Sequence, residues 1–98
     1  MDPVLDTFLQ SAPERVAALT SALTAGAAPD IERAAHAFKS ASATIGAKGL
    51  AALLQQMELA GKAGDVAAAR KVSDGLARES EAVIAYLRQV RGGAPSPA

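Results

Sequence analysis

The chain has 98 residues, half of them apolar, and its ten basic and ten acidic side chains give a formal net charge of zero. This length suits one small domain with a single core. The balanced charge and the lack of a basic run argue against nucleic-acid binding, in which phosphate neutralisation carries most of the affinity. They also argue against a polybasic membrane anchor.

Cysteine is absent and histidine occurs once, which excludes disulfides and thiolate chemistry and argues against a transition-metal site. A cysteine-free composition fits a cytoplasmic protein. No apolar run approaches the roughly 20 residues that a membrane-spanning helix needs, and the acidic Asp2 and Asp6 are unlike a signal peptide. We therefore expect a soluble, cytoplasmic protein without membrane contact.

The first predicted helical stretch covers about residues 3–25, where apolar side chains recur at helical spacing. Pro13 interrupts this stretch, and Ser11 followed by Glu14 has the spacing of a capping box. The sequence therefore allows either a fresh helix start at Ser11 or one continuous helix kinked at Pro13.

The second predicted helix follows a connector over residues 26–29. Ala28 or Asp30 is its predicted N-cap, and Pro29 is acceptable in its first turn. The helix is expected to end near Gly46. Because the turn over residues 46–49 is short, the third helix should run back antiparallel to the second.

The third predicted helix closes at Gly61 and Gly64, and Asp65 is the predicted N-cap of a fourth helix over about residues 66–90. Gly75 and Ser80 are weak points within this last helix.

Four amphipathic segments joined by short turns predict an all-α fold, an antiparallel up-and-down four-helix bundle. The apolar residues are mostly alanine and leucine, which favour closely packed helices over a sheet. We predict one domain over residues 1–91 and a disordered tail or linker over residues 92–98.

The second helix carries the single histidine. At 100° per residue, an apolar stripe surrounds Phe38, while His36 lies about 160° and Lys39 about 100° from Phe38. His36 should therefore point away from the core, toward water or a partner. Ser42 falls near the stripe and is predicted to pack there while it hydrogen-bonds the preceding turn.

The run His36-x-Phe38-Lys39-Ser40-x-Ser42-x-x-Ile45-Gly46-Ala47-x-x-Leu50 resembles the signature of histidine-containing phosphotransfer domains of bacterial phosphorelays. In that family the signature reads roughly His-x-Leu-Lys-Gly-x-Ser-x-x-Leu-Gly-Ala-x-x-Leu. The likeness extends in both directions and covers nearly the whole chain apart from the tail. Ser40 stands where the family usually has glycine, so access should survive with a slightly more crowded approach.

The resemblance implies a four-helix bundle whose exposed His36 accepts a phosphoryl group from a receiver-domain aspartate and passes it on. An imidazole that is neutral near pH 7 keeps a lone pair for this attack. Lys39 is the expected electrostatic partner of the phosphoryl oxygens, on which negative charge accumulates. Glu58 resembles the family residue that orients the imidazole, and Gln55 is a second candidate lining that side.

Small residues around His36 are expected to give a receiver domain access, because the attacking and leaving atoms must lie in line. These residues are Ala37, Ser40, Ala43 and Gly46. We expect no cofactor and no metal ligand in this chain, since it offers no carboxylate cage around His36. The Mg²⁺ that such transfers need should come from the receiver partner.

The expected partners are response-regulator receiver domains and also a hybrid sensor histidine kinase, and the chain is expected to be a monomer. It has no Gly-rich nucleotide loop and should have no kinase activity of its own. One alternative is a docking module that binds a receiver or a kinase without taking phosphate. The dimerising hairpin of a sensor kinase ranks lower, because Ala37 and Ala41 replace the acidic residue and the proline of that class.

Two residues have simpler explanations. Glu58 has the spacing to pair with Lys62 one turn further along its own helix. Gly46 is first a helix stop and only second a site residue.

Overall fold

The computed structural model describes residues 3–91, which form four helices joined by short turns. They are α1 (Pro3–Ala25), α2 (Ala28–Thr44), α3 (Lys48–Lys62) and α4 (Val66–Arg91). Each helix packs against the next along the chain, and α4 also packs against α1. The predicted all-α bundle is thus confirmed. The predicted tail over residues 92–98 lies outside the described residues.

The centre of the bundle lies between α2 and α3. Its largest fully buried side chains are Phe38, Ile31, Leu50, Leu54, Met57 and Ser42. The ring of Phe8 on α1 lies against Phe38, with centroids 6.1 Å apart. Because Phe38 is fully buried, the opposite side of α2 must face outward. None of the helices within residues 3–91 is long and apolar enough to cross a membrane.

Helix α1 runs without a break through Pro13, so a fresh start at Ser11 is wrong. Ser11 Oγ donates a hydrogen bond to the Thr7 carbonyl at 2.9 Å, within the preceding turn, instead of capping a new helix. The buried side chains Phe8 and Ala12 precede Pro13 on the core side, and Leu19 follows it. This shared packing keeps the chain helical across the proline, which is itself exposed.

The predicted N-cap of α2 at Ala28 or Asp30 is also wrong. Ala27 occupies the N-cap position and makes no side-chain capping bond, and Pro29 lies in the first turn as expected. Asp30 lies inside this first turn, where its carboxylate pairs with Arg33. Its negative charge therefore stabilises the helix start without capping it.

Gly46 ends α2, as predicted. The Gly46 backbone has φ of 81°, which glycine adopts without steric cost. The Gly46 N–H donates to the Ala43 carbonyl, and the Ala47 N–H donates to the Ser42 carbonyl, at 3.1 and 2.9 Å. This pair of bonds is the Schellman arrangement. Residues 48–49, which were expected in the turn, form the start of α3.

Gly61 lies inside α3, so its predicted role in closing that helix is wrong. It is buried where α3 crosses the first turn of α2. A Cβ atom at Gly61 would lie 2.7 Å from the Glu32 nitrogen and 3.0 Å from the Ala28 oxygen. The missing side chain therefore allows the two backbones to approach closely.

The turn between α3 and α4 forms as predicted. Gly64 ends α3 with φ of 75°, and Asp65 caps α4, because the Ala68 N–H donates to Asp65 Oδ1 at 3.0 Å. Gly75 and Ser80 do not interrupt α4.

Candidate functional site

His36 lies on the outer side of α2, and 61% of its side chain is exposed. This confirms the orientation expected from the buried position of Phe38. The neighbouring outward positions on α2 carry the small, exposed residues Ala37, Ser40 and Ala43. On the side of these three residues, no large side chain of α2 stands between the imidazole and an approaching protein.

Glu58 on α3 holds one nitrogen of the His36 ring. Nδ1 of His36 lies 3.0 Å from Oε2 of Glu58. An ionised carboxylate only accepts hydrogen bonds, so Nδ1 carries the ring proton and its N–H donates a hydrogen bond to Glu58. In the neutral ring the lone pair is then on Nε2. The ring leans toward α3, which the angular position of His36 on α2 did not determine.

Lys39, one turn after His36, also reaches across to α3. Its ammonium lies 2.6 Å from Oε1 of Glu58 and donates a hydrogen bond to Oε1 of Gln55 at 2.7 Å. Glu58 therefore forms its ion pairs with His36 and Lys39 on α2, and the alternative pairing with Lys62 is not among them.

The contact between Gln55 and Lys39 was not anticipated. The sequence suggests that Gln55 lines the side of the imidazole, yet its side chain binds the ammonium of Lys39. The sequence does contain a signal for this contact. Lys39 follows His36 by three residues on α2, and Gln55 precedes Glu58 by three residues on α3. Between antiparallel helices, two such pairs come opposite each other.

The charges in this cluster are balanced. The hydrogen bond from Lys39 lowers the pKa of Glu58 below its ordinary value. Burial of the carboxyl raises this pKa, but by less, and the His36 ring contributes a further lowering. Glu58 is therefore ionised near neutral pH, and its charge offsets that of Lys39.

The structure brings four of the expected site residues together, namely His36, Lys39, Gln55 and Glu58. Gly46 lies apart from them, because the ten residues from His36 to Gly46 advance about 15 Å along a helix. Ser42 is fully buried and its hydroxyl donates to the Phe38 carbonyl at 2.8 Å, as predicted for a packing residue.

Within residues 3–91, no three side chains of histidine, cysteine, aspartate or glutamate lie together as a potential metal-binding group. The carboxylate beside His36 belongs to Glu58, and both of its oxygens are engaged by His36 and Lys39. The residues around the imidazole therefore do not fit a Mg²⁺ site of their own.

Comparison with known proteins identifies a family for this chain. A family model described as the Hpt domain matches residues 3–92, which include all four helices and the cluster around His36. No curated protein and no solved structure matched the chain. With more than nine-tenths of its length matched, the chain belongs to the Hpt domain family of histidine phosphotransfer proteins in two-component signalling.

Proposed function

We propose that His36 accepts a phosphoryl group from the aspartyl phosphate of a receiver domain and transfers it to, or back from, another response-regulator receiver. The family as a whole interacts with such receivers. The observation that carries the assignment to His36 is its exposed ring, whose Nδ1 is bound by Glu58 at 3.0 Å. This contact leaves Nε2 as the nucleophile.

Transfer to His36 exchanges a P–O bond for a P–N bond. The Nε2 lone pair attacks phosphorus, the bond from phosphorus to the aspartate oxygen breaks, and its electron pair remains on the aspartate carboxylate. The ring keeps its Nδ1 proton and gains a positive charge, which the ionised Glu58 stabilises. Transfer onward is the same step in reverse, with a second receiver's aspartate as nucleophile.

Lys39 is the proposed partner of the phosphoryl oxygens. A lysine ammonium has three donors, and in this structure Lys39 contacts two acceptors, Glu58 and Gln55. A phosphoryl oxygen, on which negative charge accumulates during transfer, can bind the remaining donor or take the place of Glu58 on the ammonium.

The small residues on α2 are proposed to let a receiver approach in line with Nε2. Ala37, Ser40 and Ala43 are exposed on the outward side of α2 that carries His36, and Gly46 is exposed further along, where the helix has ended. A large side chain among them would hold the two backbones apart.

Other parts of the reaction are assigned to the partner. Hpt domains carry phosphoryl groups and are not catalysts in the usual sense, and we propose no kinase activity for this chain. The receiver supplies the Mg²⁺. The proposed setting is the cytoplasm, with a hybrid sensor histidine kinase as a further partner.

The test is transfer from a radiolabelled phospho-receiver. We expect label to appear on this chain in an acid-labile linkage, and we expect His36→Gln to stay folded by circular dichroism and to accept none. Label retained by His36→Gln would contradict the assignment. Receiver binding that persists in His36→Gln, with no label on the wild type, would favour the docking module instead.

A further inference from the structure

We propose that Gln55 is a positioning residue for phosphotransfer. It would hold the Lys39 ammonium beside His36 through a neutral acceptor, so that Lys39 can exchange Glu58 for the phosphoryl group without leaving the site. This inference rests on the proposed function of His36.

The contacts form a chain of four side chains. Gln55 binds Lys39 at 2.7 Å, Lys39 pairs with Glu58 at 2.6 Å, and Glu58 binds the His36 ring at 3.0 Å. A lysine ammonium sits on a flexible four-carbon stem, and fixing that stem costs conformational entropy. Two acceptors on α3 hold the ammonium in one place better than one acceptor does.

The two acceptors differ in charge. Glu58 is an anion, and it competes with a phosphoryl group for the same ammonium. An incoming phosphoryl group brings nearly two negative charges near neutral pH. Gln55 carries no net charge and does not repel the phosphoryl oxygens. When Lys39 turns from Glu58 toward the phosphoryl group, the bond to Gln55 can therefore remain.

The helix provides a matched control beside Gln55. Gln56 is the next residue of α3 and is exposed, and no side-chain hydrogen bond of Gln56 occurs in the described part of the chain. A substitution at Gln56 changes the same residue type on the same helix without touching Lys39.

The experiment uses phosphoramidate, a small phosphodonor that needs no protein docking. Nε2 of His36 attacks phosphorus, the P–N bond breaks, and ammonia leaves. Phosphorylated protein is followed over time by intact-protein mass spectrometry. Methionine has a similar length to glutamine but no strong acceptor, so Gln55→Met should slow the reaction roughly threefold to tenfold. Gln56→Met should react at the wild-type rate.

A double-mutant cycle with Lys39→Ala shows whether Gln55 acts through Lys39. Once Lys39 is removed, Gln55→Met should cause no further loss of rate. A full effect of Gln55→Met in the Lys39→Ala background would overturn the proposal, as would a wild-type rate for Gln55→Met alone.

A third variant tests the neutral charge of the acceptor. Gln55→Glu keeps an oxygen on Lys39 but adds a negative charge, so we expect phosphorylation to be slower than in the wild type. An unchanged rate in Gln55→Glu would overturn the role of neutrality. Failure of the wild type with both phosphoramidate and a phospho-receiver would contradict the proposed function itself, and this inference with it.

Discussion

The carboxylate of Glu58 binds two side chains of α2 at once, the ring of His36 and the ammonium of Lys39. A glutamine at this position could accept a hydrogen bond from the ring through its one side-chain oxygen. Its amide would offer Lys39 no opposite charge. Glutamate at position 58 thus couples the orientation of the nucleophile to the position of the cation.

The lowered pKa of Glu58 predicts how stability depends on pH. Ionised Glu58 stabilises the fold above the pKa that the carboxyl has in the unfolded chain. This contribution is lost as pH falls through the lower pKa of the folded state. We therefore expect the free energy of unfolding of the wild type to exceed that of Glu58→Gln by a constant amount near neutral pH. This difference should shrink below about pH 4. Urea denaturation at a series of pH values measures it.

The control for this titration is Glu81→Gln, because Glu81 is exposed on α4 and forms no ion pair within residues 3–91. The difference in free energy of unfolding between the wild type and Glu81→Gln should not shrink in this way at low pH. If the wild type exceeds Glu58→Gln in free energy of unfolding by the same or a larger amount at low pH, the proposed ion-pair contribution is contradicted.

At this scale, helical periodicity was enough to predict that His36 is exposed and that Ser42 is buried and hydrogen-bonded within its own helix. The matching three-residue spacings are compatible with the bond from Lys39 to Gln55, but they did not by themselves predict it. A helical wheel gives directions within one helix, whereas this contact depends on the rotation of α3 and on the conformations of two long side chains.

The crossing of α2 and α3 depends on Gly61, where a Cβ atom would meet the backbone of α2 at 2.7 Å. Since backbone atoms cannot move aside as a flexible side chain can, Gly61→Ala must separate the helices. We expect a loss of about 1–3 kcal/mol in the free energy of unfolding, measured by urea denaturation.

Gly75→Ala is the matched control for this substitution. Gly75 lies within α4, and a Cβ atom there would meet nothing within 4 Å. Alanine is the better helix former, so Gly75→Ala should raise stability by about 0.5–1 kcal/mol. Equal effects of the two substitutions would contradict a specific role for the close crossing at Gly61.

Local signals predicted some helix boundaries and failed at others. Asp65 and Gly46 act as expected, because a cap and a left-handed glycine depend on a few neighbouring residues. The signals at Ser11 and Pro13 were overridden, since the core packing of α1 outweighs a local preference to restart. Gly61 was misread because close contact between two helices and the end of one helix both favour glycine.

At the scale of the whole molecule, four apolar stripes joined by short turns were sufficient to predict the bundle. They did not predict which helices share the most buried centre, which depends on complementary packing of Phe38, Leu50, Leu54 and Met57 between α2 and α3. Such packing is a property of pairs of surfaces, and a single stripe does not encode it.

We expect a monomer in solution. The bundle buries its core within one chain. Large apolar side chains that are nevertheless exposed include Leu59, Tyr86 and Val90, and Tyr86→Glu tests whether Tyr86 mediates association. Light scattering should give a mass close to 9.9 kDa, at low and at high concentration. Tyr86→Glu should leave the mass unchanged. A dimer would contradict this expectation.

The close crossing at Gly61 bears on the tautomer of the His36 ring as well as on stability. Gly61 is one turn from Glu58 along α3, and Glu32, against which it packs, is one turn from His36 along α2. The absence of a Cβ atom at Gly61 therefore allows α2 and α3 to approach closely one turn away from the contact between Glu58 and His36. If α2 and α3 were spread apart there, the ring would sample both tautomers, and part of the population would present a protonated, non-nucleophilic nitrogen to the outside.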